Sequence, residues 1–175
     1  MFSVIKGILS ESIADRKLRK DFKSCIFQSF LTFICVGIAL VLHELFGGFI
    51  VASLGASSFI IFITPHTNSS RNRNILGSYT CGAVAGMLFS FLHKYFLVFS
   101  FGRLDYTQLL VCAAAAALTT LLMVTTGFVH PPAAALALGL ANDPECLKTA
   151  PAALLGAIVL CTARWILRKH IKNLI

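Results

Sequence analysis

The chain has 175 residues, of which 57% are hydrophobic and 13% are charged, and its mean hydropathy is +0.83. A soluble domain of this size does not need so much apolar surface, so the composition excludes that class and predicts a polytopic helical membrane protein. The net charge of +8 does not indicate nucleic-acid binding, because the basic residues stand at the ends of apolar segments, where membrane topology uses them. We therefore expect the lipid bilayer as a partner and no nucleic acid.

Six apolar segments follow a basic leader at residues 1–23, which is either an amphipathic helix on the membrane surface or a solvated cytoplasmic tail. The predicted membrane domain spans 24–168, and a cytoplasmic tail follows at 169–175. The six apolar segments of the membrane domain are expected at 24–45, 49–64, 75–92, 106–126, 133–141 and 149–167. The second and fifth are short: a helix over ten residues reaches about 15 Å, half of a bilayer core. We expect these two to be short crossings or re-entrant helices.

Two adjacent prolines, Pro131 and Pro132, interrupt the apolar sequence before the fifth segment. They cannot lie inside a helix, but they can open one, because the first helical N–H groups have no intrahelical partner. The pattern predicts a short helix that starts at Pro131 or Pro132, with His130 at or just before its start. Broken backbone at membrane depth survives only where it is buried in protein or lines a wet cavity. This stretch is therefore the candidate functional site.

The two halves of the chain share turn landmarks at a constant offset of 79 positions, as from Gly48 to Gly127 (127 − 48). The aligned pairs are Gly48-Phe49 with Gly127-Phe128, Pro65 with Pro144, and Leu76-Gly77 with Leu155-Gly156. The alignment predicts an all-α fold of two tandem three-segment helical repeats, 24–92 and 103–168, a plan typical of transporters. Duplication without functional meaning and coincidence are the alternatives.

Small residues and basic residues add two structural expectations. The spacing Gly82-x-x-x-Gly86 predicts close helix packing. The leader, Arg71 with Arg73, and the C-terminal stretch contribute 6 + 2 + 4 = 12 of the 15 basic residues. Six spans place all twelve on the cytoplasmic side together with both termini. Four spans with two re-entrant helices also leave twelve basic residues inside, because Lys94 and Arg103 then exchange sides with Arg71 and Arg73, so the charges do not choose between the two.

The start of the short helix is suited to a small inorganic anion, because its unpaired N–H groups and its dipole are positive. His130 adds a donor that can also take up a proton. We expect it to be neutral at pH 7 in the empty site, so that protonation and anion binding promote each other. In the alternative interpretation, His130 only caps backbone groups at a kink. The expected substrate-binding residues come from both halves: Ser53, Gly55, Ser57, Thr126, His130, Pro131, Pro132 and Ala133.

Other functional classes have weaker support. The spans lack paired acids, a zinc-protease motif, a Ser-His-Asp arrangement and a cofactor motif, so we expect neither an enzyme nor a cofactor. A metal site would require His43, His66 or His130 to converge, and we predict none. The six cysteines stand singly and are expected to be packing residues. An accessory or assembly subunit of a membrane complex is the alternative to transport, and a homo-oligomer is left open.

The chain resembles the HPP family of integral membrane proteins over about residues 24–168. The resemblance rests on His130-Pro131-Pro132 with its Ala-rich helix, on Leu54-Gly55-Ala56-Ser57, on Thr64-Pro65, and on Arg73-Asn74 with Gly77. The resemblance implies four membrane spans and a transport function. Some plant and cyanobacterial relatives are associated with nitrite movement. We accordingly expect a nitrite-like anion and a bacterial inner membrane. Tyr79 stands near a position often held by His in the family, which puts substrate identity in doubt.

Overall fold

The computed structural model describes residues 13–46, 50–96 and 106–174, and these residues form helices joined by short turns, with no strand among them. A 3₁₀-helix covers Asn68–Ser70. The α-helices are α1 (Ile13–Phe46), α2 (Ile50–Ile63), α3 (Asn72–Phe96), α4 (Tyr106–Thr126), α5 (Pro132–Ala141) and α6 (Cys146–Leu167).

The helix bounds follow the predicted segments, with differences at some ends. Helix α4 has the predicted bounds, and α5 begins at Pro132, one of the two predicted starts. Helix α6 begins at Cys146, before the predicted start at 149, and it contains Pro151, which has no N–H to donate to the Leu147 carbonyl. Helix α1 begins at Ile13, so the later part of the leader continues into the first span, and residues 1–12 lie outside the described ranges.

Among the residues that the structure describes, four helices are long and apolar enough to cross a membrane: Phe22–Leu45 within α1, Asn72–Lys94 within α3, Thr107–Thr126 within α4, and Cys146–Leu167 as α6. Helices α2 and α5 are apolar but shorter. The protein is therefore an all-helical membrane protein with four candidate spans and two short helices packed among them.

One end of the bundle gathers the loop after α2 and the C-terminal stretch. The side-chain amide of Gln28 in α1 donates to the carbonyls of Phe62 (2.5 Å) and Lys172 (2.8 Å). Arg164, near the end of α6, donates to the carbonyl of Pro65 at 2.6 Å. The loop 64–74 and the stretch 164–174 together carry six Lys or Arg residues and no acid, so we name this end the basic end.

The opposite end holds the turn between α5 and α6. Ser90, in the last turns of α3, donates to the carbonyl of Asp143 at 3.1 Å. Gln108, in the first turn of α4, donates to the carbonyl of Ala141 at 3.1 Å. Each of α3 to α6 therefore carries the chain from one end of the bundle to the other, and the short helix α5 does so as well.

Helix α5 is held mainly against α3, its most extensive helix contact. A Cβ atom added at Gly82 would lie 2.5 Å from the carbonyl oxygen of Ala133. One added at Gly86 would lie 2.7 Å from Leu140 Cβ and 2.8 Å from the Ala137 carbonyl oxygen. The predicted packing role of the Gly82-x-x-x-Gly86 spacing is confirmed, since only glycine lets the two backbones approach this closely.

Contacts between the halves are reciprocal. Helix α3 packs against α4 and α5, and α6 packs against α1 and α2. At the glycines that the offset aligns, Gly77 lies against Phe128 of the second half, and Gly156 lies against Leu54 of the first. Superposition of 24–92 on 103–168 stays a prediction, and the landmark at Gly48 and Phe49 lies outside the described residues.

Candidate functional site at the start of α5

His130 is fully buried between α2, α3 and the loop before α3. Its Nδ1 lies 2.8 Å from the backbone carbonyl of Ser69, and its Nε2 lies 2.8 Å from Ser57 Oγ. Ser57 Oγ is in turn 2.7 Å from the Tyr79 hydroxyl, which also hydrogen-bonds Ser53. All four polar side chains are buried, so these hydrogen bonds replace the water that each group would otherwise need.

The hydrogen bonds of this cluster have one direction when His130 is neutral. The carbonyl of Ser69 can only accept, so Nδ1 carries the proton and Nε2 must accept from the Ser57 hydroxyl. Ser57 then accepts from Tyr79. The remaining lone pairs of the Tyr79 oxygen are available to the Ser53 hydroxyl. We name this set, Ser53–Tyr79–Ser57–His130, the hydroxyl chain.

The residues before His130 fix the position of the loop between α4 and α5. Gly127 has φ +72°, a left-handed conformation that ends α4 at low steric cost. The ring of Phe128 lies on Gly77, where a Cβ would be 2.5 Å from it. The Arg73 guanidinium lies 5.1 Å from the centre of the Phe128 ring, a cation–π distance. These contacts keep the break, and with it His130, at the basic end.

The backbone donors at the start of α5 are engaged within the chain. Pro131 and Pro132 have no N–H. The N–H groups of Ala133 and Ala134 donate to the carbonyls of His130 (3.1 Å) and Pro131 (3.0 Å). An anion would therefore have to displace internal hydrogen bonds to reach these donors. Side-chain hydroxyls are the more readily redirected donors of this site.

The structure brings together some of the predicted site residues and separates others. Ser53, Ser57 and His130 belong to the hydroxyl chain, and Pro132 and Ala133 are buried beside it at the start of α5. The remaining three predicted residues lie apart: Gly55 faces Val36 of α1, Thr126 is exposed and bonds its own helix at the Leu122 carbonyl, and Pro131 is exposed.

Tyr79 also belongs to the site, although it was not among the site residues predicted from the sequence. Its ring centroid is 6.0 Å from that of His130. A signal was present: Tyr79 precedes Gly82 and Gly86 by three and seven positions, which places all three on one helix face. The polar partner of Ser57 on α3 is the Tyr79 hydroxyl.

His130 lies between α4 and α5, outside the four candidate spans. Burial lowers the pKa of His130 from 6.5 to about 4, and the hydrogen bond to the Ser69 carbonyl opposes this shift. The imidazole is therefore neutral at pH 7 in this conformation, as the sequence led us to expect. Within the described ranges, no three His, Cys, Asp or Glu side chains converge as a metal site.

Buried polar side chains within a bundle of apolar helices define a polytopic membrane protein with a polar site between its helices. Residues 17–173 match the family described as HPP, transmembrane region, and the chain belongs to this family. No curated protein and no solved structure matches it. Membership in this family and the apolar helices indicate a membrane transporter in general.

Proposed function

We propose that the protein transports a small inorganic anion, nitrite-like by family resemblance, and couples its movement to a proton at His130. The observation that carries the proposal is the hydroxyl chain, which joins α2, α3 and the start of α5 through one buried ionisable group. Buried ionisable residues in membrane proteins are conserved for function more often than for stability, since they are costly to bury.

The charge at the basic end supports an anionic substrate. Arg71, Arg73 and Arg164 lie around the loop on which His130 rests, and the C-terminal stretch adds three further cations. A surface of one sign raises the local concentration of ions of the other sign. The same charges favour a cytoplasmic position for this end.

A proton on His130 would reorder the hydroxyl chain. When Nε2 carries a proton it can no longer accept from Ser57, so the Ser57 hydroxyl must turn and accept instead. The Ser57 proton then points toward the Tyr79 oxygen, and the Tyr79 proton needs a new acceptor. A small anion beside Tyr79 and Ser53 supplies that acceptor. Protonation and anion binding therefore promote each other, because coupling between sites is reciprocal.

The test is anion flux into liposomes that contain only the purified protein, with nitrite, nitrate, formate, bicarbonate and chloride compared at equal pH on both sides. We expect at least one of these anions to move, with a maximal flux that rises as pH falls. A pure, folded protein that moves none of them would contradict the proposal and favour the accessory-subunit alternative.

Two sets of variants assign the coupling to the hydroxyl chain. His130→Gln keeps a donor but cannot be protonated, so its maximal flux should lose the pH dependence, and His130→Ala should lose most of the flux. Ser57→Ala leaves His130 Nε2 without its donor and should reduce flux strongly. Ser58→Ala is the matched control, because the buried Ser58 hydroxyl bonds the Leu54 carbonyl of its own helix. An unchanged pH profile in His130→Gln would make His130 a structural cap.

A further inference from the structure

A cavity of about 290 Å³ lies at the opposite end of the bundle, where α3 ends, α4 begins and α5 turns into α6. A water molecule takes up about 30 Å³, so a small anion fits here with several waters. The lining residues are more polar than those of the surrounding bundle: Ser90, His93, Lys94, Gln108, Ala141, Asn142, Asp143 and Pro144.

Asp143 is the unusual member of this lining, because it is 93% buried (7% exposed). Its Oδ1 accepts from the backbone N–H of Glu145 at 2.8 Å. Its other oxygen, Oδ2, is buried and has no hydrogen-bond partner within the described chain. A buried carboxylate oxygen without a donor is costly, and a proton or a donating ligand relieves that cost.

We propose that this cavity binds the transported anion together with a proton, the anion against Lys94 and His93 and the proton on Asp143. The inference rests on the proposed function and adds to it a binding site at the other end of α5. A carboxylate repels an anion at close range, and a proton on Asp143 removes that repulsion. The anion is therefore bound more tightly when Asp143 is protonated, and each promotes the binding of the other.

The surrounding charges are consistent with this coupling. The titratable groups near Asp143 come from the end of α3 and the start of α6: His93, Lys94, Glu145, Cys146 and Lys148. Glu145 and Lys148 are exposed and form an ion pair at 2.9 Å, so their charges offset each other. Helix α4 contributes the neutral Gln108. Lys94 and the Asp143 carboxylate leave the cavity close to neutral, and a proton on Asp143 makes it cationic.

Helix α5 then has a buried titratable group beside each of its ends, His130 at the basic end and Asp143 at the opposite end. The two groups have different roles. Asp143 contributes to anion binding and therefore to the apparent KM. His130 acts through the hydroxyl chain that joins the helices, so its protonation changes the maximal flux and also the binding of an anion beside Tyr79.

The experiment measures the apparent KM for the best anion of the flux panel as a function of pH in proteoliposomes of the His130→Gln variant, so that His130 does not contribute to the pH dependence. For this variant, we expect KM to rise with pH by up to about tenfold for each pH unit, since one proton binds with each anion. Adding Asp143→Asn, whose amide imitates the protonated carboxyl, should hold KM within about twofold across the same range. The KM of the double variant should equal the low-pH value of His130→Gln.

Glu145→Gln is the matched control. It removes an equal negative charge two positions after Asp143, from a residue in an exposed ion pair with Lys148, and it should keep the pH dependence of KM. Lys94→Gln, at an exposed position, should raise KM several-fold, and this variant tests the site even if the double variant does not fold. A pH-dependent KM in the double variant, or an unchanged KM in Lys94→Gln, overturns the inference while the proposed function stands. A protein that moves no anion overturns the proposed function.

Discussion

At the scale of single residues, the state of His130 is decided by what surrounds it. Burial removes the water that would stabilise an imidazolium, and Ser57 donates to the nitrogen that a proton would occupy. The Ser69 carbonyl fixes the tautomer. Because both ring nitrogens are engaged, His130 cannot bind a ligand directly without rearrangement. It can instead influence a ligand through Ser57 and Tyr79.

The low pKa of His130 predicts a pH dependence of stability. The folded chain takes up this proton only near pH 4, whereas the unfolded chain takes it up near 6.5. Below 6.5 the unfolded state binds more protons, so His130 costs stability progressively as pH falls toward 4. The loss amounts to roughly 3 kcal/mol.

Thermal unfolding in detergent between these pH values measures this loss, with His130→Gln as the reference. Carboxyl groups titrate in the same range in both proteins, so the difference between the two curves isolates His130. We expect the unsubstituted protein to lose more stability on acidification than the variant. Parallel curves would show that His130 is already hydrated in the folded state.

At the scale of elements, the glycines of α3 determine how close α5 can come. Gly77, Gly82 and Gly86 meet Phe128, Ala133 and Leu140, respectively. This contact sets the position of the break and so brings His130 within reach of Tyr79 on the same helix face. The reciprocal contact of Gly156 with Leu54 places α2, which carries Ser53 and Ser57, against α6.

Gly82→Ala should therefore destabilise the protein. Its Cβ would lie 2.5 Å from a backbone oxygen of Ala133, which cannot move without α5. Overpacking of this kind costs about 1–3 kcal/mol. Gly37→Ala is the matched control, since Gly37 lies within α1 and nothing lies within 4 Å of an added Cβ. The control should be neutral or more stable by up to about 1 kcal/mol. Equal melting temperatures for the two variants would contradict the packing argument.

At the scale of the whole molecule, the path of the chain bears on its topology. Helix α2 leads to the loop at Pro65, which the side chain of Arg164 from α6 contacts. The loop after α2 and the end of α6 therefore share one end of the bundle. We propose six membrane crossings, with the basic end and both termini cytoplasmic, because the basic residues gather at that end.

Labelling from each side of the membrane tests this topology. A cysteine at Asn68, an exposed position in the loop after α2, should react with an impermeant reagent only from the cytoplasmic side. A cysteine at Lys148 should react only from the outside, and a reporter fused at residue 173 should be cytoplasmic. Four spans with two re-entrant helices would instead expose both cysteines to the outside. The unsubstituted protein supplies the background from its native cysteines.

The sequence by itself determined where the helices lie and where they break. Apolar runs and prolines act over a few neighbouring residues, so α4 has its predicted bounds and α5 opens at Pro132. Family membership also followed from short motifs.

Only the tertiary structure decided which polar groups meet. Tyr79, Ser57 and His130 are separated by 22 and 73 positions along the chain, and their meeting depends on how closely α3, α2 and α5 pack. Helical periodicity places a residue on a face, but the neighbouring helix decides what that face contacts, which is why Gly55 and Thr126 lie apart from the site.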